Sequence, residues 1–311
     1  MKKRKLTLYV ALLLAVCICA GLIPASAAAE SKDCAPVAEN LELETYKGVS
    51  VGGRLSAIDP DGGVLTYEIT TKPVKGCVEL LEDGQFVYTP EEGKKGRDYF
   101  GYKAVDSDGN YSQEATVIIR IVKQNGCVTY YDMEGHGNAR AAVALAENDI
   151  YVGRCVGGKY VFSPDEEVSR GEFLAMCMKL ANESILTGVT RTGFADDSSI
   201  PAWIKPYVST ALMNGVISGY PSDGTGSVFS ASEPVTWSEA AVMLDNVLDI
   251  SDVAYTAGVS EDYVPSWSYQ ATVNLTACSI MDCPVSSMDR PITRADAASL
   301  LANAMDILSV R

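Results

Sequence analysis

Three short strings recur along the second half of the chain and constrain its fold more than any other feature: Val168-Ser169-Arg170-Gly171-Glu172, Val235-Thr236-Trp237-Ser238-Glu239 and Ile292-Thr293-Arg294-Ala295-Asp296. In each, a hydroxyl residue is followed three positions later by a carboxylate. The hydroxyl can then accept from the amide of the third helical residue while the acid accepts from the amide of the cap, a reciprocal pair that opens an α-helix. Offsets 4, 7, 8 and 11 from each cap are apolar: Phe173, Met176, Cys177, Leu180; Ala240, Met243, Leu244, Val247; Ala297, Leu300, Leu301, Ala304. One stripe at helical spacing, repeated three times at the same phase, predicts three units that bury the same helix face against equivalent neighbours.

The segments upstream also correspond. Tyr131-Asp132 with His136, Phe194-Ala195-Asp196 with Trp203, and Asp262 with Trp267 each precede a second helical stretch. Those stretches stop near Ile150, Gly215 and Ile280, and an aromatic turn around Phe162 or Phe229 precedes the first two caps only.

Residues 35–123 have a different period. Runs such as Leu65-Thr66-Tyr67, Gln85-Phe86-Val87-Tyr88-Thr89, Tyr99 to Val105 and Ala115 to Val122 alternate with period two. Turn formers separate them, including Asp59-Pro60-Asp61-Gly62 and Asp106-Ser107-Asp108-Gly109. About ninety residues and roughly seven short strands predict an immunoglobulin-like all-β sandwich. Its wording, from Ala35-Pro36-Val37 through Gly96-Arg97-Asp98-Tyr99-Phe100 to Asp106-Ser107-Asp108-Gly109, resembles the cadherin-like repeats of bacterial surface proteins. Asp59, Asp61, Asp106 and Asp108 carry the hard oxygens that calcium takes. With one copy of the module, the simpler reading is turn aspartates that accept from their own backbone.

The three capped strings are similar to S-layer homology repeats, over about Tyr130 to Leu308. The resemblance implies an all-α pseudo-threefold bundle whose inter-repeat grooves hold an anionic, often pyruvylated, secondary cell-wall polysaccharide, and it brings no catalytic chemistry or cofactor. On that basis Arg170, Arg294, Trp203 and Trp267 are the expected polymer-binding residues. Ser169, Glu172, Thr236, Glu239, Thr293 and Asp296 are expected to act as helix caps. The chemistry of the residues agrees: an arginine at the first helical position is expected to project outward beside unsatisfied amides, and its planar fork grips a carboxylate by two parallel bonds. An indole offers a sugar ring an apolar face, although a tryptophan there also serves to fill a core. Three positions depart from the pattern. Trp237 stands where the other caps have arginine, Gly137 where a tryptophan is expected, and Asp296 in place of a longer glutamate.

Lys2 to Lys5 and the apolar run Leu8 to Ile23, followed by small residues through Ala29, form a secretory signal peptide, too short to span a bilayer. Its loss removes four basic residues and no acid, taking the formal charge from −15 to −19. So acidic a chain is not expected to coat nucleic acid. The single histidine, His136, excludes metal sites that need two imidazoles, and no metal site is expected. A nucleophile from Cys177 or Cys155 would have only His136 as base, and nothing in the sequence brings them together. Seven cysteines remain after the leader, of which Cys278 and Cys283 are spaced for a small loop disulfide.

The expected organisation is therefore a signal peptide over 1–29, a sandwich over 30–125, and repeats over 126–187, 188–252 and 253–311. The expected protein is a secreted, non-enzymatic surface protein held on the cell wall or S-layer, with the sandwich as spacer or adhesion module. Self-association into a lattice is the alternative.

Overall fold

The computed structural model describes residues 34–222, 226–254, 256, 258–282 and 286–310. The expected signal peptide and Cys283 lie outside the described residues. No described helix is long and apolar enough to cross a membrane.

Period-two sequence becomes a two-layer β-domain. Strands β1 (Val37–Ala38), β2 (Leu41–Tyr46), β3 (Val51–Arg54), β4 (Ala57–Ile58), β5 (Thr66–Thr71), β6 (Gly76–Leu80), β7 (Gln85–Pro90), β8 (Gly96–Val105) and β9 (Ala115–Val122) follow in order. Four form a sheet in the order β2-β9-β8-β5, with β2 and β9 parallel, and three form the facing sheet β3-β7-β6. Along β9 the buried residues Ala115, Val117, Ile119 and Ile121 alternate with Thr116, Ile118, Arg120 and Val122, so one face packs inward. The core holds Phe86, Tyr88, Phe100 and Tyr102, with the Phe86 and Phe100 rings edge to face at 5.1 Å. Buried Asp98 accepts from the Val74 and Lys75 amides and from the Tyr88 hydroxyl, which lets a carboxylate stand inside the sandwich.

Beyond the sandwich come three helix pairs: α1 (Ala139–Glu147) with α2 (Arg170–Leu180), α3 (Lys205–Met213) with α4 (Trp237–Leu248), and α5 (Tyr269–Ala277) with α6 (Arg294–Val310). The first two pairs carry short hairpins, β10 (Arg154–Val156) with β11 (Lys159–Val161) and β12 (Tyr220–Pro221) with β13 (Ser227–Val228). Each first helix ends the same way. The second residue after it, Asp149, Gly215 or Ser279, takes a positive φ, and the next amide, of Ile150, Val216 or Ile280, returns to Leu145, Ala211 or Leu275. That backbone stop places a buried apolar residue at the same point of every unit.

Contacts between successive units close into a cycle: α3 of the second lies on α2 of the first, α5 of the third on α4 of the second, and α1 of the first on α6 of the third. All twelve stripe residues except Leu180 are buried in one shared core, and Leu180 packs against its edge. The sandwich docks on the first pair, where the Gly52 amide donates to Gly137 O at 2.8 Å and the Arg140 amide to Ser50 O at 3.1 Å. The close approach favours glycine at position 52, because a Cβ there would meet the Gly137 Cα at 3.2 Å, whereas a Cβ on Gly137 would make only ordinary contacts at 3.6 Å and beyond.

Candidate functional site: clefts between the helical units

The three capping residues do what their spacing predicts. The Ser169, Thr236 and Thr293 hydroxyls accept from the amides of Glu172, Glu239 and Asp296 at 3.3, 3.3 and 3.2 Å. The acids accept from the cap amides at 3.3, 3.0 and 2.9 Å, so the shorter Asp296 arm closes its box as well.

Just before the caps, backbone bonds join the units into a ring. The Val168 amide donates to Ile292 O, that of Ile292 to Val235 O, and that of Val235 to Val168 O, over 2.9 to 3.2 Å. The next amides repeat the pattern one unit on: Arg170 to Glu233, Trp237 to Arg290, and Arg294 to Glu166. The following ones do so again: Gly171 to Ala231, Ser238 to Met288, and Ala295 to Pro164. This corrects the expectation of unsatisfied amides at the caps. The loop of the neighbouring unit already accepts from two of the orphan donors that open each helix.

The arginines are placed by the same ring, and neither projects outward as expected. Arg170 is 5% exposed and Arg294 8% exposed. Each crosses into the next unit and donates to the carbonyl of that unit's aromatic turn, Arg170 Nε to Phe229 O at 3.0 Å and Arg294 Nη1 to Phe162 O at 3.0 Å. Those turns are held by the upstream aspartates. Asp132 accepts from the Phe162 and Ser163 amides, and Asp196 from those of Phe229 and Ser230. Arg170 stacks over Tyr220 at 4.5 Å and pairs with Glu239 at 2.9 Å, in a setting where both side chains are largely enclosed. Burial lowers its pKa against the opposing pull of Glu239 and Asp196. Arg294 lies over Tyr151 at 5.5 Å and pairs at 2.8 Å with Glu166, whose side chain is half exposed. Chiefly the hydrogen bond from Arg294 holds the Glu166 carboxyl below its ordinary range against the opposing effect of burial, with the hydrogen bond from Arg154 adding a smaller pull.

Two clefts open between units. One, of about 570 Å³, is lined by Arg294, Tyr151, Glu172, Lys179, Trp203 and Tyr207. It brings Arg294 and Trp203 together, the indole standing 57% exposed. The other, of about 580 Å³, is lined by Trp237, Arg290, Asp296 and Asn303 of the helical units and by Arg54 and Asp83 of the sandwich. Trp267 is 59% exposed and, like Arg170, lines neither cleft. Sequence reasoning missed Lys179, Tyr151 and Tyr207, which carry no repeated signal, and Arg290 and Arg54, which reach the second cleft only through the packing of distant segments.

The remaining candidates have local roles. Asp59 accepts from the Asp61 and Gly63 amides, and Asp106 from those of Asp108 and Asn110, as turn aspartates do. Among the described residues no group of three or more acids, cysteines or histidine could hold a metal. Cys177 is fully buried, and burial alone pushes its thiol pKa up, against the thiolate a nucleophile needs. His136 accepts through Nδ1 from the Asn138 amide at 3.0 Å.

Comparison with known proteins identifies the modules. Residues 33–123 match the bacterial cadherin-like domain and residues 193–241 the S-layer homology domain. The chain thus joins two kinds of module found in bacterial surface proteins, neither of them enzymatic. It is also 26% identical over 161 residues to the surface-layer 125 kDa protein of Lysinibacillus sphaericus, an alignment covering 47% of this chain and 13% of that relative. The chain therefore spans about an eighth of that protein's length. Among solved structures, an endo-fucoidan hydrolase of glycoside hydrolase family 107 is similar at 17% identity over 30% of this chain and 14% of its own, with a TM-score of 0.25. An adhesin mutant of Streptococcus sanguinis is similar at 17% identity over 31% and 65%, with a TM-score of 0.23. No functional inference follows from scores that low.

Proposed function

We propose that the chain is a secreted surface protein whose three helical units are S-layer homology repeats in a pseudo-threefold bundle, holding it non-covalently on an anionic secondary wall polysaccharide, with the sandwich as spacer or adhesion module. The observation that carries this reading is the cleft in which Arg294 and Trp203 meet, beside Lys179 and Tyr207. It combines a guanidinium at the foot, an ammonium at the rim and an exposed indole face. A sugar that carries a carboxylate asks for those groups.

Glu166 already sits 2.8 Å from the Arg294 terminal nitrogen, where a ligand acid would bind. Arg154 lies 2.6 Å from its other oxygen and is exposed, so Glu166 can swing onto Arg154 as a polymer carboxylate takes its place. Arg170, enclosed with Glu239, has no comparable freedom. In this reading it locks two repeats together rather than meeting the polymer.

The test is cosedimentation of the secreted chain with sacculi of L. sphaericus. Trp203→Ala removes an exposed ring without touching the core, so pelleting should fall at least tenfold while circular dichroism stays unchanged. Undiminished pelleting of that variant and of Arg294→Lys would remove the site. Self-assembly is the second reading, favoured by the surface-layer name of the relative. Light scattering of the chain without wall material separates it from anchoring, since a lattice former grows alone and an anchor stays monomeric.

A further inference from the structure

We infer that strand β6 of the sandwich is a docking edge for a second copy of this chain, the two β6 strands running antiparallel about a two-fold axis through Cys77. The contact lies wholly in the sandwich and does not depend on what the helical units bind.

Four strands border the two sheets, β2 and β5 in one and β3 and β6 in the other. A bare edge invites a further strand, and three of these edges are guarded against it. β3 is covered by the loop whose Gly137 O takes up the Gly52 amide. β5 is interrupted by a register shift between Ile69 and Thr71, and Glu114 holds its Thr70 and Thr71 hydroxyls. β2 carries Glu42 and Glu44 in the phase that faces away from the core, like charges that would repel another β2. β6 (Gly76–Leu80) has no such guard. Its register against β7 turns the polar groups of odd-numbered residues toward β7: the Leu81 amide donates to Gln85 O, and Lys75 O accepts from the Glu91 amide. Gly76, Val78 and Leu80 therefore present their N–H and C=O groups at the open edge. Beside that edge Val74 is 73% exposed and Leu81 45% exposed.

The charges of the strand complement themselves in one register. Cys77 and Glu79 face solvent, and Lys75 precedes them in the same phase. With Cys77 opposite Cys77, Lys75 of each copy stands opposite Glu79 of the other, so two ion pairs flank the axis. The Lys75 ammonium donates to Lys95 O at 3.1 Å and keeps two further donors for the glutamate. Gly76 of one copy and Val78 of the other then exchange N–H···O=C bonds in both directions, and Val74 meets Leu80. Sliding by two residues either way sets Lys75 opposite Cys77 or Leu81 and loses both pairs. A shift of one would oppose residues that face the core to residues that face solvent. The matched edges are short, so the chain stays monomeric in dilute reduced solution and pairs where copies stand side by side.

That register also suits a disulfide. Cys77 falls in a non-hydrogen-bonded pair, whose Cα atoms lie about 4.5 Å apart, inside the range of about 4.4–6.8 Å that a disulfide spans. Its thiol is exposed and lies 3.8 Å from Thr89 O. With a small disulfide such as oxidised glutathione as oxidant, one Cys77 thiolate attacks it and releases a first glutathione thiolate. The Cys77 thiolate of the other copy then displaces the second, leaving one S–S bond between copies. The two protons shed by the cysteines end on the two released thiols.

The test is the rate of that capture. In the full chain, Cys34, Cys127, Cys155, Cys278 and Cys283 are replaced by serine, which leaves Cys77 and the buried Cys177. A companion keeps Cys155, also exposed, and carries Cys77→Ser. Under oxidised glutathione, non-reducing electrophoresis should show the Cys77 chain dimerising about tenfold faster than the companion. Glu79→Lys should slow it about fivefold at low salt, and Lys75→Glu in the same chain should restore the rate, because the pairs re-form with their signs exchanged. Glu79→Gln, a milder change on an exposed side chain, should give an intermediate rate and guards against a folding defect. Equal rates for Cys77 and Cys155, a rate that Glu79→Lys leaves unchanged, or no recovery in the doubly reversed chain would each overturn the inference.

Discussion

The pair between Arg170 and Glu239 permits a quantitative test of how the helical units are locked. Only 7% of the Arg170 side chain and 15% of the Glu239 side chain remain exposed, and their charged atoms lie 2.9 Å apart across the boundary between two units. Glu239 also closes the Thr236 cap and accepts from the Tyr220 hydroxyl. Replacing it by glutamine keeps an acceptor but leaves a buried cation without a counter-charge. Losing one member of a buried pair costs about 3–5 kcal/mol, and the retained amide oxygen lowers that to about 2–3 kcal/mol. For a helical region of this size, each kcal/mol moves Tm by about 2–4 °C, so Glu239→Gln should melt about 5–10 °C lower. Arg170→Met in the same chain removes the stranded charge, so the double variant should recover about 2 kcal/mol of the summed losses. Lys94→Met, which breaks an exposed pair with Glu91 at 3.6 Å, should cost under about 0.5 kcal/mol. The assay is a thermal and urea double-mutant cycle followed by far-ultraviolet circular dichroism. A coupling below about 0.5 kcal/mol, or a Glu239→Gln loss no larger than that of Lys94→Met, would refute the lock.

Two further outcomes follow from other parts of the structure. Burial pushes the Asp245 carboxyl up to about 6, with Asp252 and Asp249 adding to it and the hydrogen bond from Asn274 opposing it. A raised carboxyl pKa means the folded chain holds the proton more tightly, so this contribution is fully present below pH 3.8 and is lost as pH rises through about 6. Urea midpoints should therefore fall between pH 5 and pH 7, with a flatter slope in Asp245→Asn, and an unchanged slope in that variant would rule out Asp245 as the cause. Asp197, held down at about 2 chiefly by its hydrogen bond from Lys205, titrates well below that window. At the docking surface, Gly52→Ala puts a methyl against the Gly137 backbone, so the Gly52 and Arg140 amides should exchange hydrogen about tenfold faster. Unaltered protection would mean that the two modules are held elsewhere.

Several features could be read from neighbours in sequence because their causes are local. The capping boxes span four residues, the apolar stripes follow the helical period, and the strands of the sandwich alternate with period two. Asp296 for glutamate, noted as a departure, proved harmless because the cap only needs an oxygen within reach of one amide. The positions of the arginines were legible and their environments were not. A first-turn side chain projects into whatever lies beside the helix, and here that is a loop some 60 or 130 residues distant in sequence.

Sequence alone therefore determined where helices start, which faces they bury and which segment becomes the sandwich, since each depends on contacts within a few residues. Tertiary structure decided that the units close into a ring, that their loops take up the amides at the caps, and that Arg170 is enclosed while Arg294 still borders a cleft. It also decided that the sandwich stands beside Gly137 and carries Arg54 to Trp237. Those outcomes depend on which distant surfaces meet, and such meetings are set by the packing of the whole chain.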